Sequence, residues 1–194
     1  MFVLTADQRG SRADADRVPE LLHRYRDLPA VRGFERTAGD EVEAVFDDAD
    51  VVRAVVVDLV ASGHWSVGVG VDEVEQPLPA QTRAGRGHAF EAARSAVESA
   101  KGRRVPLRVV GPSPWCRHAQ TAACLLIDLV AGHSDAGREA VALVAAGESQ
   151  AKAAERLGIS PQAMSLRLRA ARWDLQPDSQ SLVTELLRRC EEDR

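Results

Sequence analysis

The amino-acid sequence predicts an α+β protein in which a sheet domain is followed by an all-α domain. In the first half, short apolar runs of strand type alternate with segments of helical periodicity. The stretch Gly-Pro-Ser-Pro at residues 111–114 interrupts this pattern, because glycine and proline disfavour regular structure. The apolar residues after it recur with helical spacing. We therefore expect one domain at residues 1–112 and a helical domain at residues 113–194.

The elements of the first domain follow from the periodicity of its apolar residues. Residues 2–6 are a β-prone apolar run, and the Val-Gly alternation within residues 65–74 has the period of a strand on which another element packs closely. Residues 38–41 (AGDE) form a hairpin turn between two strand-like runs. The predicted strands are residues 2–6, 32–37, 42–46, 65–74 and 106–110, and the predicted helices are residues 18–28, 48–62 and 86–100. Their order contains the β-α-β-β-α-β core of the ferredoxin-like arrangement.

The second domain is predicted to consist of helices alone. These helices span residues 115–131, 135–146, 149–157, 161–173 and 179–191. The first of them carries an apolar stripe formed by Trp115, Ala119, Ala122, Leu126 and Leu129. Such a stripe is most often part of a core, and the alternative is a dimer seam.

Residues 149–173 carry the start and stop signals of a helix-turn-helix. Ser149 can cap a first helix, and Gly158 stands where that helix must end, since glycine accepts a left-handed backbone. Ser160 can cap a second helix whose first turn holds Pro161. Two helices joined by a turn of about three to four residues are the arrangement in which the second helix reads DNA.

The second helix of this motif has an apolar face and a polar, basic face. Met164, Leu168 and Ala171 fall together and would pack on the first helix. Residues 149–173 hold five basic residues against one acidic residue, Glu155, so their local charge suits binding to phosphates and base edges. The predicted DNA-binding residues are Gln150, Lys152, Ser160, Gln162, Ser165, Arg167, Arg169 and Arg172. The alternative is a helical hairpin within a bundle, with its arginines merely solvated.

Together with the helix before it, this motif resembles the helix-turn-helix of the LuxR family and of sigma-factor region 4. The resemblance implies double-stranded DNA as the partner. A single such motif reads only a few base pairs, so a homodimer is expected.

Composition limits the other possible functions. The net charge of −4 excludes a bulk polyanion binder, so contact with nucleic acid must come from a local basic face. Three cysteines without metal-ligand spacing favour a reducing, cytoplasmic compartment. The apolar start of the chain is too short for a signal peptide, and no segment has 18 consecutive apolar residues, so no membrane span is expected.

Two aspartates of the first domain form a possible metal site. Asp7 ends the first strand and Asp40 lies in the hairpin turn, on strands that we expect to be neighbours. Paired carboxylates in such positions can hold divalent cations against a triphosphate. The alternative is a turn-forming role, because aspartate is common where strands end. Ser11 and Arg12 are either phosphate contacts in the following loop or simply loop residues.

The hairpin FERTAGDEVEAVF resembles the strand-turn-strand of class III nucleotide cyclases and GGDEF diguanylate cyclases. The strand WSVGVGVDEVE and the helix within GRGHAFEAARSAVESA are similar to the cyclase strand and the helix after it. The resemblance implies that Asp7, Asp40 and Glu41 hold Mg²⁺ or Mn²⁺ with a nucleotide, and that Arg94 steadies the transition state. It also places Phe90 where the catalytic asparagine is expected, and a single glycine precedes Asp40. These departures imply a domain without catalytic residues.

The order of motifs along the chain resembles the SatD-like family. It comprises a TAD-x-x-x-SR start, a GDE hairpin, a GVGVDEVE strand, a GxGxAFxxAR helix and a terminal helix-turn-helix. We therefore expect a DNA-binding transcription regulator whose first domain senses a nucleotide or metal, or dimerises. The alternative is an active metal-dependent nucleotidyl cyclase or transferase that the helix-turn-helix localises.

Overall fold

The computed structural model describes residues 1–11 and 13–194 and has an α+β fold. Arg12, one of the two possible phosphate contacts, lies outside the described residues. The strands are β1 (Phe2–Gln8), β2 (Arg32–Arg36), β3 (Glu41–Phe46), β4 (Trp65–Val71) and β5 (Leu107–Val110). The helices are α1 (Val18–Arg24), α2 (Ala49–Ala61), α3 (His88–Ala100), α4 (Trp115–Ala131), α5 (Asp135–Ala145), α6 (Gln150–Arg156), α7 (Pro161–Ala170) and α8 (Gln176–Glu192). Within these residues, none of the helices combines the length and the apolar character that a membrane crossing requires.

The predicted strands and helices are all present, and the differences lie at their ends. The strand predicted at residues 65–74 ends at Val71, where the side chain of Asp72 accepts a hydrogen bond from the backbone N–H of Glu73 and turns the chain. The helix predicted at residues 161–173 ends at Ala170, because Arg172 adopts a left-handed backbone. The last helix begins earlier than predicted, with a proline accommodated in its first turn.

The five strands form one mixed sheet in the order β2-β3-β1-β4-β5. Neighbouring strands are antiparallel except for β4 and β5, which are parallel. The β2–β3 hairpin thus lies beside β1, as predicted, and Asp7 is directly opposite Glu41 of β3 and Ser66 of β4. This register sets side chains of β1 and β3 side by side on each face of the sheet.

The alternation of valine and glycine in β4 separates the two faces of the sheet. Val67, Val69 and Val71 are fully buried in the main apolar core. Gly68 and Gly70 face α3, and a Cβ atom on Gly70 would lie 2.0 Å from the carbonyl oxygen of Ala89. Backbone therefore packs directly on backbone here, which confirms the close approach expected from the sequence.

Helices α4 and α8 pack with the sheet and α2, on the face opposite α3. Ala119 and Leu126 of α4 and Leu187 of α8 belong to the same buried cluster as the valines of β4. Helices α5, α6 and α7 share a separate cluster. Helices α4 and α8 therefore share the core of the sheet, although the sequence predicted a domain break before them, at residues 111–114. The physical reason is that the wide apolar face of a five-stranded sheet needs more cover than one helix supplies.

Candidate functional site

The turn between α6 and α7 is built by backbone hydrogen bonds at a left-handed glycine. Gly158 has φ +64°. The N–H of Ile159 donates to the carbonyl oxygen of Ala154 at 3.0 Å, and the N–H of Gly158 donates to that of Glu155 at 3.0 Å. These two bonds form a Schellman motif, which satisfies the free carbonyls at the end of α6.

Serine side chains cap both helices, as the sequence predicts. The hydroxyl oxygen of Ser149 accepts a hydrogen bond from the backbone N–H of Lys152 at 3.3 Å. That of Ser160 accepts from the N–H of Ala163 at 3.1 Å, and Pro161 fills the first turn of α7. Each cap satisfies one free N–H and stabilises its helix by about 1 kcal/mol. The start of α7 is therefore well defined.

The three helices α5, α6 and α7 enclose a small core. Met164 and Leu168 of α7 are buried against Ala153 and Ala154 of α6 and Ala140 of α5. Alanines leave room for the helix axes to come close together. The apolar face predicted for the second helix is thus confirmed at Met164 and Leu168.

The predicted DNA-binding residues lie on the opposite, solvent-facing side, with one exception. Arg167 is half-buried, and its guanidinium lies 3.6 Å from the carboxylate of Glu139 on α5. The exposed ones are Gln150, Lys152, Ser160, Gln162, Ser165, Arg169 and Arg172.

Among the residues that the structure describes, three of the five basic residues in this segment have no acidic partner. Arg156 pairs with Glu148 at 2.6 Å. Within residues 1–11 and 13–194, no carboxylate lies within 4.0 Å of the side-chain nitrogens of Lys152, Arg169 or Arg172. These three cations are therefore available to an external anion.

Leu166 was not predicted as a site residue, although it is 66% exposed and lies on the same face. At 100° per residue it falls between Gln162 and Ala170, beside Arg169. The sequence does contain a signal for its exposure, because Leu166 falls outside the apolar face that Met164 and Leu168 define. An exposed leucine there can contact the methyl group of thymine.

A second group of polar residues lies on the sheet surface that faces α3. The antiparallel register sets Asp7 opposite Glu41 and Thr5 opposite Glu43. Glu41 accepts a hydrogen bond from the hydroxyl of Thr37 at 2.5 Å. Three carboxylates from two adjacent strands therefore share this surface, with Asp40 in the turn beyond them.

Asp7 is paired with a lysine of the chain itself. Its carboxylate lies 2.9 Å from the Nζ atom of Lys101, which directly follows α3. Burial raises the pKa of Asp7 above its ordinary value, Lys101 counteracts this, and the negative charge of Asp40 raises the pKa further. The cation that balances the charge of Asp7 therefore comes from the protein itself. Sequence reasoning missed Lys101, which no local pattern connects to Asp7.

Arg94 is paired with a carboxylate as well. Its guanidinium lies 3.3 Å from Glu43, which is fully buried and also accepts a hydrogen bond from the hydroxyl of Thr5 at 3.3 Å. Burial raises the pKa of Glu43, and Arg94 and Thr5 oppose this shift. Phe90, one turn before Arg94, is buried in the sheet-facing core of α3. Arg94 thus neutralises a buried carboxylate.

Among residues 1–11 and 13–194, no group of three or more histidine, cysteine, aspartate or glutamate side chains is arranged to hold a metal ion. The acidic surface near Asp7 is already neutralised in part by Lys101 and Arg94. The residues present therefore do not fit a two-metal site in this conformation.

Comparison with known proteins gives no support for a family assignment. No family model, no curated protein and no solved structure matches the chain.

Proposed function

We propose that this chain is a cytoplasmic transcription regulator that binds double-stranded DNA through a helix-turn-helix formed by α6 and α7. The observation that carries the proposal is a group of three exposed cations, Lys152 on α6, Arg169 on α7 and Arg172 just after α7. None of them has an acidic partner in the described structure. A protein with net charge −4 that concentrates unpaired cations on α6, on α7 and in the turn after α7 is suited to a local polyanion contact.

The exposed residues of α7 match the chemistry of base edges. Gln162 can bond an adenine edge, Arg169 can bond a guanine edge, and Leu166 can pack on a thymine methyl group. The seven residue steps from Gln162 to Arg169 rise by about 10 Å along the helix, or roughly three base-pair steps. Lys152 and Arg172 would contact phosphates and set the register of the helix. The proposed half-site is therefore about three to four base pairs long.

The first domain is proposed to be a ferredoxin-like, cyclase-related module without catalytic activity. The strand order β2-β3-β1-β4 with antiparallel neighbours supports the fold. The pairing of Asp7 with Lys101 and of Arg94 with Glu43 weighs against metal-dependent nucleotidyl transfer. Regulation by a nucleotide and membership of the SatD-like family stay predictions from the sequence.

The test is binding of fluorescent DNA duplexes by the whole protein, measured by anisotropy. A site would first be selected from a random duplex library. Arg169→Glu should weaken binding to that site by about 1–3 kcal/mol, or roughly 5- to 150-fold. The matched control is Arg26→Glu, which makes the same change in charge at an exposed arginine outside the motif.

Equal affinity for wild type and Arg169→Glu would refute the assignment of this face. Equal losses in both variants would mean that only overall charge matters, and that α7 does not read bases.

A further inference from the structure

A long apolar groove runs between α4 and α8 on the outside of the molecule. Its volume is about 510 Å³, and residues of both helices line it, among them Trp115, Leu125, Leu129, Leu182 and Leu186. Leu125 is 69% exposed and Leu182 is 54% exposed. A clustered pair of exposed leucines beside a groove marks an interaction surface, whereas scattered single leucines do not.

We propose that this groove is the interface of a homodimer, in which Leu125 of each copy inserts into the groove of the other. The inference deepens the proposed function and rests on it, because two-fold pairing would present two α7 helices to a two-fold symmetric DNA site. The two helices that line the groove are also joined directly to the DNA-binding unit. The last residue of α4 is Ala131 and α5 begins at Asp135, while α8 begins at Gln176, just after the turn that follows α7.

The charges on α4 favour a second copy of the same chain as the occupant. Arg117 and Asp128 lie on one edge of the exposed stripe, on either side of its centre. If two α4 helices cross antiparallel about a two-fold axis, Arg117 of each copy meets Asp128 of the other. Arg117 has no carboxylate within 4.0 Å among the described residues, whereas Asp128 contacts Arg104 of its own chain at 2.5 Å. The unpaired positive charge of Arg117 is thus complementary to Asp128 of a second copy, whose half-exposed carboxylate can contact Arg117 in addition to Arg104.

The size of the surface is sufficient for a reversible dimer. Each helix has 17 residues and is about 25 Å long, and two neighbouring helices present a face about 20 Å wide. This gives on the order of 500 Å² per copy and about 1,000 Å² in total, which is the lower range for specific interfaces. We therefore expect a dimer that dissociates on dilution.

The experiment is analytical ultracentrifugation of the whole protein without DNA, over a range of micromolar concentrations. Wild type should be a dimer. Leu125→Asp and Leu182→Asp should each raise the dissociation constant by at least ~30-fold, because a buried anchor is replaced by a charge. Leu175→Asp is the matched control, since Leu175 is 51% exposed but does not line the groove, and it should leave the dimer intact.

The charge pairing has its own test. Arg117→Asp should weaken the dimer. Combining it with Asp128→Arg and Arg104→Asp, which keeps opposite charges at positions 104 and 128, should restore the dimer if the helices cross antiparallel. Circular dichroism would show that each variant keeps its helices.

A monomer at all concentrations, or a dimer that both groove variants leave unchanged, would overturn the proposal. So would a monomer that binds an apolar fluorescent dye at this groove, which would identify a small apolar ligand as the occupant. A dimer that fails to bind DNA would refute the proposed function alone, and a monomer that binds DNA would refute the dimer alone.

Discussion

Replacing Arg172 with glycine should stabilise the protein while it weakens DNA binding. Arg172 ends α7 with φ 50° and ψ 41°. This left-handed backbone costs a residue with a Cβ atom about 1–2 kcal/mol, whereas glycine adopts it freely. Glycine also loses about 0.5–1 kcal/mol more in chain entropy on folding. The net gain is about 0.5–1 kcal/mol, which corresponds to a rise in melting temperature of about 1–4 °C for a two-state chain of this size.

The same substitution removes one of the unpaired cations from the proposed DNA contact. If Arg172 touches a phosphate, its loss should weaken binding to all duplexes alike and reduce the slope of log K against log salt by about 1. Thermal unfolding by circular dichroism and anisotropy at several salt concentrations measure the two effects.

Gly158→Ala is the matched control. Gly158 is also left-handed, and a Cβ atom there would meet nothing within 4 Å. The variant should therefore lose about 1 kcal/mol of stability through backbone strain, with the charges of the surface unchanged. A fall in stability for Arg172→Gly would show that the left-handed backbone at Arg172 is not strained, and an unchanged salt slope would show that Arg172 does not contact a phosphate.

Other predictions concern the first domain. Gly70→Ala should destabilise the protein by at least about 1–3 kcal/mol in urea unfolding, because the new Cβ atom would lie 2.0 Å from the carbonyl oxygen of Ala89. Gly33→Ala is the control and should cost far less, since a Cβ atom at Gly33 would have no neighbour within 4 Å. Equal costs would contradict the close packing. Burial raises the pKa of Glu43 above its ordinary value of 4.5, so the folded state keeps this proton to a higher pH than the unfolded state. The contribution of Glu43 to stability should therefore fall as the pH rises from 4.5 through the raised pKa, and Glu43→Gln should remove this decline. A pH-independent difference between the two proteins would count against it. Incubation with ATP or GTP and Mn²⁺ should give no cyclic nucleotide, since Arg94 is held by Glu43, and rapid formation of such a product would favour the cyclase alternative.

Local patterns were sufficient to predict the elements and the turn between α6 and α7. The caps at Ser149 and Ser160 and the glycine at position 158 act within four residues of themselves, so the sequence shows them directly. The close approach at Gly70 was also visible, because only glycine alternates with valine in β4.

Pairs that are distant in sequence could not be predicted in this way. Lys101 meets Asp7 and Arg94 meets Glu43 only because α3 packs across β4 and β1 on the face of the sheet that carries both carboxylates. Likewise, Arg167 has the same charge as Arg169 and lies on the same helix, but it pairs with Glu139 of α5. An arginine in a helical pattern does not reveal which neighbour it will face.

The surface on which α4 and α8 pack could likewise not be predicted from the sequence pattern. An amphipathic stripe shows that a helix has a buried side, but not which surface covers it. In the structure, Ala119 and Leu126 cover the sheet, and Leu125, one residue away, stays exposed in the groove.

Sequence-specific DNA binding by α7 is tested most directly by selecting binding sites from a random duplex library with the whole protein, wild type and Arg169→Glu in parallel. If α7 is a recognition helix, wild type enriches a defined sequence with guanine at one fixed position, and Arg169→Glu loses the preference at that position. If wild type enriches no sequence at low and at physiological salt, α7 is not a recognition helix and the proposed function is wrong.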